Sequence, residues 1–300
     1  MDRKEKRLQL LGALGIVKEA FRIMRSQAKL LGTITLVLIL PFYLITVRHS
    51  LMTPFLLAMM IIPKQITEDR SLPILQLTEL LLLEIFYADF FHAALMPSMA
   101  AVGYTVANVY RKKHQSSFAR VMRLLSAVWK PMMITCLWYF IIDFMIFMTS
   151  GFAMWILALG FLELGELRNS YSILFYLSFI VVCMVLFLVS VYVRMVFQVA
   201  IVVCILEKRY CGLEGMKKSH RLIHGKRTAA CVLAIAYSGI SNMSCFTGSK
   251  GDVYAVGLGA KIAYGTACLV MACVVALIGM LTQSVLYFLS RSYHGERIEE

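Results

Sequence analysis

Six stretches of nearly unbroken hydrocarbon, at 30–47, 86–109, 132–153, 172–206, 229–246 and 262–290, alternate along the chain with short segments rich in Lys and Arg. A helix needs about 20 apolar residues to cross the core of a bilayer. The pattern therefore predicts an all-α, polytopic transmembrane helical bundle of about six spans, forming a single integral membrane domain over residues 1–300. The fifth stretch is the most dilute, because Ser238, Ser241, Asn242 and Ser244 occupy its outer half. The fourth is so long that it must tilt or protrude.

Apolar positions at helical spacing also occur just ahead of three of these stretches. Phe21 and Met24 lie in "KEAFRIMRSQAKL", and Phe118, Val121, Met122, Leu125 and Trp129 lie in "FARVMRLLSAVWKPM". Met216, Leu222 and Ile223 lie in the more polar "GLEGMKKSHRLIHGKR". Each reads as an interfacial helix whose apolar side dips into the headgroup layer. Aligning Lys29, Lys130 and Lys226 suggests three repeated units of one surface helix plus a two-span hairpin, at 8–109, 110–206 and 207–290. The same alternation also arises in any protein with an even number of spans.

Charge gives this pattern a direction. Residues 1–29 hold eight Lys and Arg, 110–130 six, 207–228 seven and the tail two, whereas the segments on the other side hold six in all. Short loops rich in Lys and Arg stay in the cytosol, so both termini are expected there. The net charge of +13 is thereby gathered on one membrane face. That favours anionic lipid headgroups as the partner and not nucleic acid. A hydrophobic share of 60% points the same way, since it exceeds that of ordinary soluble domains.

Ionisable groups within spans are costly and so mark candidate sites. Asp143 and Arg194 each lie 13 residues from a cytosolic marker, Lys130 and Glu207 respectively, and are expected at one depth in adjacent spans. They read either as an ion pair that fixes how the hairpin closes or as a contact in a solute pathway, with Gln198 one turn away extending either arrangement. Asp89 and His92 share a helical face, with Glu84 loosely on the same side, but too few ligands converge there for a metal site. His220 and His224 read as part of a basic surface. No nucleotide-binding glycine loop, serine elbow or zinc-binding His-Glu-x-x-His motif is present in the sequence. Neither an enzyme nor a cofactor is expected.

Six of the eight cysteines, Cys204 among them, fall inside apolar stretches and read as small hydrophobes. Cys211 reads as an interfacial thiol, plain or palmitoylated, and Cys245 alone approaches the outer face, so no disulfide is expected there. The N-terminal region has no cleavable leader pattern, and no tail motif chooses between endoplasmic reticulum and plasma membrane.

The run from Ala200 to Lys226, "AIVVCILEKRYCGLEGMKKSHRLIHGK", carries Glu207, Gly212, Gly215, Met216, Lys217, Lys218, Ser219, Leu222 and Gly225. In these positions it resembles the membrane domain associated with bacterial glycerophosphoryl diester phosphodiesterases. With "GYTVANVYRKK" and "VWKPMMITCLW" included, nearly the whole chain is similar to uncharacterised six-span proteins of plants. The bacterial proteins do their catalytic work in a separate soluble barrel for which this chain has no room, so the resemblance implies no phosphodiesterase activity. Independently of it, Gly212 suits a helix cap or tight turn, and Glu214 is placed to pair with Lys218 one turn on.

Lys217, Lys218, Arg221, Lys226 and Arg227 are then expected either to fix topology or to form a lipid or protein docking strip. Two functions follow as expectations. One is a non-enzymatic membrane protein that organises or docks at a membrane through its basic cytosolic helices. The other is a small-solute or ion transporter using Asp143 and Arg194.

Overall fold

The computed structural model describes residues 12–45, 90, 94–111, 117–163, 168–207, 210–249 and 258–293, and every described element is helical. The elements are α1 (Ala13–Ser26), α2 (Ala28–Ile34, continuing through a π-helical turn at Thr35–Ile39) and α3 (Met96–Tyr110). They continue with α4 (Phe118–Glu163), α5 (Arg168–Leu206), α6 (Leu213–Ile223), a 3₁₀ turn at His224–Lys226, α7 (Arg227–Ser249) and α8 (Leu258–Tyr293).

Among the described residues, four helical stretches are long and apolar enough to cross a membrane: Ala28–Ile45, Phe118–Ala153, Leu177–Leu206 and Ile262–Tyr293. The pattern predicts six. Residues 229–246 are helical throughout, within α7, but the side chains of Ser238 and of residues 241–249 lie outside the described residues, so the four spans do not bear on this stretch. Of 86–109, only residue 90 and the part from 94 onward are described, ending in α3.

The three expected repeat segments differ in build. α1 is a separate amphipathic helix, joined to α2 through Gln27. Residues 118–130, expected as a surface helix of their own, are instead the start of α4, which runs unbroken through Pro131. The Thr135 hydroxyl donates to the Pro131 carbonyl at 3.1 Å, a local bond that accompanies continuation past a residue lacking an N–H. α4 has 46 residues, roughly 69 Å at the helical rise, which is well beyond the roughly 30 Å of a hydrocarbon core.

The core gathers around α3. Its small residues Ala100, Ala101, Gly103 and Ala107 are buried and let neighbouring backbones come close. A Cβ at Gly103 would lie 3.4 Å from Val202 on α5. Ser98, Thr105 and Asn108 of α3 are buried too; Thr105 returns its hydroxyl to Ala101 O at 2.8 Å, whereas the Ser98 hydroxyl meets no partner among the described residues. Tyr139 on α4 stacks on Phe197 on α5, with ring centroids 4.1 Å apart, and both rings are fully buried.

Away from that stack the packing changes abruptly. Between Phe140 and Ser190, none of the described side chains of α4 and α5 is buried. Phe144, Met148, Phe152, Trp155, Leu177, Met184 and Phe187 are exposed. An apolar surface of this extent matches lipid and not water.

Truncating Phe197 to Ala removes a buried ring and its stacking partner, and is expected to destabilise the fold by about 3–5 kcal/mol. Phe187→Ala, on the exposed hairpin, is expected to change stability by less than about 1 kcal/mol. Unfolding of the two variants in mixed micelles, followed by circular dichroism, compares them directly.

Candidate functional site

Polar and charged groups converge where α5 ends and α6 begins. α5 stops at Leu206, and Glu207 follows with its N–H bonded to Val203 O at 2.7 Å. Its side chain turns inward and is only 16% exposed. Oε2 receives the ammonium of Lys218 from α6, and Oε1 accepts the Tyr287 hydroxyl of α8 at 2.8 Å. Arg291, one turn further along α8, brings Nη1 within 3.7 Å of Oε1 and donates to the Tyr287 hydroxyl at 3.4 Å. The Lys218 ammonium also lies 4.3 Å from the centre of the Tyr210 ring, a cation–π contact. One carboxylate thus ties three helices together, and its two cationic partners leave the cluster positive.

The turn before α6 is shaped by glycine. Gly212 has φ +65°, a region that penalises any side chain, and it caps the start of α6. Its N–H donates to the Thr135 hydroxyl of α4 at 2.8 Å, which seats the turn against the rung that follows Pro131. A Cβ on Gly212 would come within 3.1 Å of Ile134, and one on Gly215 within 2.9 Å of the Tyr210 carbonyl. The expected tight turn at Gly212 is present, but it opens α6 and does not cap α5.

α6 is amphipathic, and its apolar face is spent on protein. Met216, Leu222 and Ile223, expected to dip into headgroups, are buried in the core, because α6 lies across the ends of α5 and α8. Lys218 goes to Glu207, and Glu214 is exposed. Lys217, Arg221 and Arg227 are exposed on the outward side, together with His220 and His224. His220 is anchored by a 2.9 Å hydrogen bond between Nδ1 and the Tyr192 hydroxyl. Lys226 is half-buried with its ammonium 5.7 Å from the Tyr293 ring centre, and Gly225 lies against that same ring. Ser219 is fully buried beneath this face, and its hydroxyl meets no partner among the described residues.

Cys204 and Cys211 are joined as a disulfide, with Cα atoms 4.9 Å apart. This corrects the reading of Cys204 as a plain apolar filler and Cys211 as an interfacial thiol. The physical reason is the chain reversal: once α5 ends at Leu206, the loop folds back and returns Cys211 to the last turn, within the usual Cα range for a bridge.

The intramembrane candidates separate. The Tyr139–Phe197 stack fixes the register of α4 on α5, so Asp143, one turn after Tyr139, is level with Arg194, just under a turn before Phe197. Both are half-buried, yet no ion pair joins them among the described residues. The Arg194 Nε is buried without a partner among those residues. Gln198 instead accepts from Gln283 on α8. Asp89, His92 and Glu84 lie outside the described residues, as does the side chain of Cys245. No group of three metal-binding side chains occurs among the described residues.

The network partners Thr135, Tyr287 and Arg291 escaped the sequence reading. Their one signal was the carboxylate of Glu207 at the end of an apolar helix, which requires compensation if it is buried.

A family described as "Domain of unknown function (DUF8558)" matches residues 1–300, and the chain belongs to it. No curated protein and no solved structure matches.

Glu207→Gln removes the charge that Lys218 and Arg291 face, and is expected to cost about 3 kcal/mol. Combining it with Lys218→Met is expected to recover part of that loss, as a double-mutant cycle on unfolding would register. Gly212→Ala is expected to cost about 1–2 kcal/mol from the left-handed backbone alone, measured by the same unfolding transition.

Proposed function

We propose that this member of an uncharacterised family is a non-enzymatic, multi-pass membrane protein that docks at anionic headgroups through a rigid basic face. The observation that carries this reading is the division of labour within α6. Its apolar residues Met216, Leu222 and Ile223 are committed to the protein core, while Lys217, Arg221 and Arg227 stand exposed. The Glu207 network fixes the helix from beneath. Basic residues held near a membrane surface attract anionic lipid by about 1 kcal/mol each.

On this reading α3, with the residues before it, and α7 supply two crossings beyond the four apolar ones, and both termini face the cytosol. The distribution of Lys and Arg along the chain supports that orientation. The Cys204–Cys211 bridge argues against it, because disulfides are rare in a reducing compartment. The charge bias is given more weight, since it draws on four segments and the bridge on one. The likeness of Ala200–Lys226 to bacterial membrane domains, and of the whole chain to plant six-span proteins, supports a membrane role without supplying a reaction.

A second reading, a small-solute or ion transporter, is favoured by the buried Nε of Arg194, unpartnered among the described residues, at the level of Asp143. If that reading holds, Asp143→Asn and Arg194→Gln variants that fold normally alter uptake or conductance in reconstituted vesicles.

The docking reading is tested with the full chain in vesicles of phosphatidylcholine with and without phosphatidylserine. Spin-labelled lipids report which headgroup the protein gathers. The Lys217→Gln, Arg221→Gln, Arg227→Gln triple variant is expected to lose preference for phosphatidylserine by about five-fold or more at low ionic strength. An unchanged preference in the folded triple variant would overturn the reading.

A further inference from the structure

A second feature lies between α1 and the α7–α8 pair, away from the Glu207 network. α1 rests on α8 and α7, and between them is a cavity of about 270 Å³. Its wall is hydrocarbon: Val17 and Phe21 from α1, Leu233 and Ile240 from α7, Ile278 and Leu286 from α8. Tyr237 of α7 also lines it, lying flat on Gly279 of α8, where any larger side chain would displace the ring.

Besides the Tyr237 hydroxyl, two polar residues reach this wall and both are already engaged. The Thr282 hydroxyl donates to Ile278 O at 2.7 Å, and the Gln283 amide donates to Gln198. Water needs several polar partners to stay in such a space. An apolar cavity left empty costs stability in proportion to its volume. The volume falls just below the roughly 300–1,000 Å³ of sites that enclose whole drug-sized ligands. It suits one hydrocarbon chain, not an entire lipid.

The rim supplies the charge. Val17 and Phe21 also line a second, open cavity of about 660 Å³, bordered by Lys18, Arg22 and Arg25. These three recur at i, i+4 and i+7, on one face of α1. Glu19 is the carboxylate at this rim and lies 3.6 Å from Arg22, so the balance stays positive. An apolar slot and a basic rim that share two residues complement a molecule with a hydrocarbon chain and an anionic head.

We propose that the cavity between α1, α7 and α8 holds one acyl chain of an anionic membrane phospholipid, whose phosphate is held by Lys18, Arg22 and Arg25. The proposal rests on the membrane reading above, but on a different helix and a different surface from the α6 docking face. It makes the protein a binder of an individual lipid as well as a charged platform.

The test uses the full-length protein in phosphatidylcholine vesicles doped with phosphatidylserine or phosphatidylcholine carrying a photoactivatable group in its acyl chain. Adducts are mapped by mass spectrometry. The phosphatidylserine probe is expected to label Phe21, Tyr237, Ile240 or Ile278 about ten-fold more than the phosphatidylcholine probe does. Ala234→Phe, which fills the cavity, is expected to lower that labelling about ten-fold. Lys18→Gln with Arg22→Gln and Arg25→Gln is expected to erase the difference between the two probes.

Labelling of the wild-type protein confined to the exposed faces of α4 and α5, for instance at Phe144 and Leu177, would sink the proposal without needing any variant to fold. Equal cavity labelling by both probes would remove the anionic headgroup from it. The two readings fail separately. A protein that still gathers phosphatidylserine but shows no cavity adducts loses the acyl site alone. One whose cavity is labelled, but whose α6 triple variant gathers lipid as before, loses the docking face alone.

Discussion

One largely enclosed carboxylate organises the described part of this molecule. Glu207 sits where α5 ends, and its two oxygens are taken by groups from two other helices, Lys218 of α6 and Tyr287 of α8, with Arg291 close by. A charge in so dry a place is tolerated only when it is compensated from several directions. The demand for compensation therefore fixes where α6 lies. Once α6 lies there, the turn before it must be tight enough for the left-handed Gly212, and the helix must meet the Tyr210 carbonyl so closely that Gly215 has no room for a side chain.

The same logic makes α8 the common mount of both basic surfaces. Near its C-terminal end it presents Tyr287 and Arg291 to the network beneath α6. About two turns earlier, Ile278 to Leu286 form the wall that faces α1. The basic faces of α1 and α6 are thus not independent appendages. Each stands on the same rod, and the net charge of +13 is displayed by a framework whose interior is mainly apolar.

The sequence announced some of this and hid the rest for identifiable reasons. Hydrocarbon runs were legible because their length answers directly to bilayer thickness, and four of them reappear as helices fit to cross a membrane. The motif from Glu207 to Gly225 was legible as a pattern, and Gly212 as a turn. What Glu207 binds was not, since Tyr287 lies 80 residues away and no local spacing encodes that contact. Met216, Leu222 and Ile223 were correctly seen as one apolar side, but periodicity cannot say whether such a side meets lipid or protein. The surface helix expected at 118–130 is instead the first part of α4, because the helix runs on without a break through Pro131 into the apolar stretch, and periodicity alone does not mark where one helix ends and the next begins. Asp143 and Arg194 share a level, yet equal depth does not aim two side chains at each other.

The bare hairpin formed by α4 and α5 has a broader meaning. From Phe144 to Ser190 none of its described side chains is buried in the core, while the halves nearer α6 are packed around Tyr139 and Phe197. One end of each helix is therefore a solid and the other is a solute. The packed end keeps its geometry by contacts that travel with the protein. The bare end has no such contacts among the described residues, so its arrangement answers to the medium around it, and its apolar side chains suit a medium that is itself apolar.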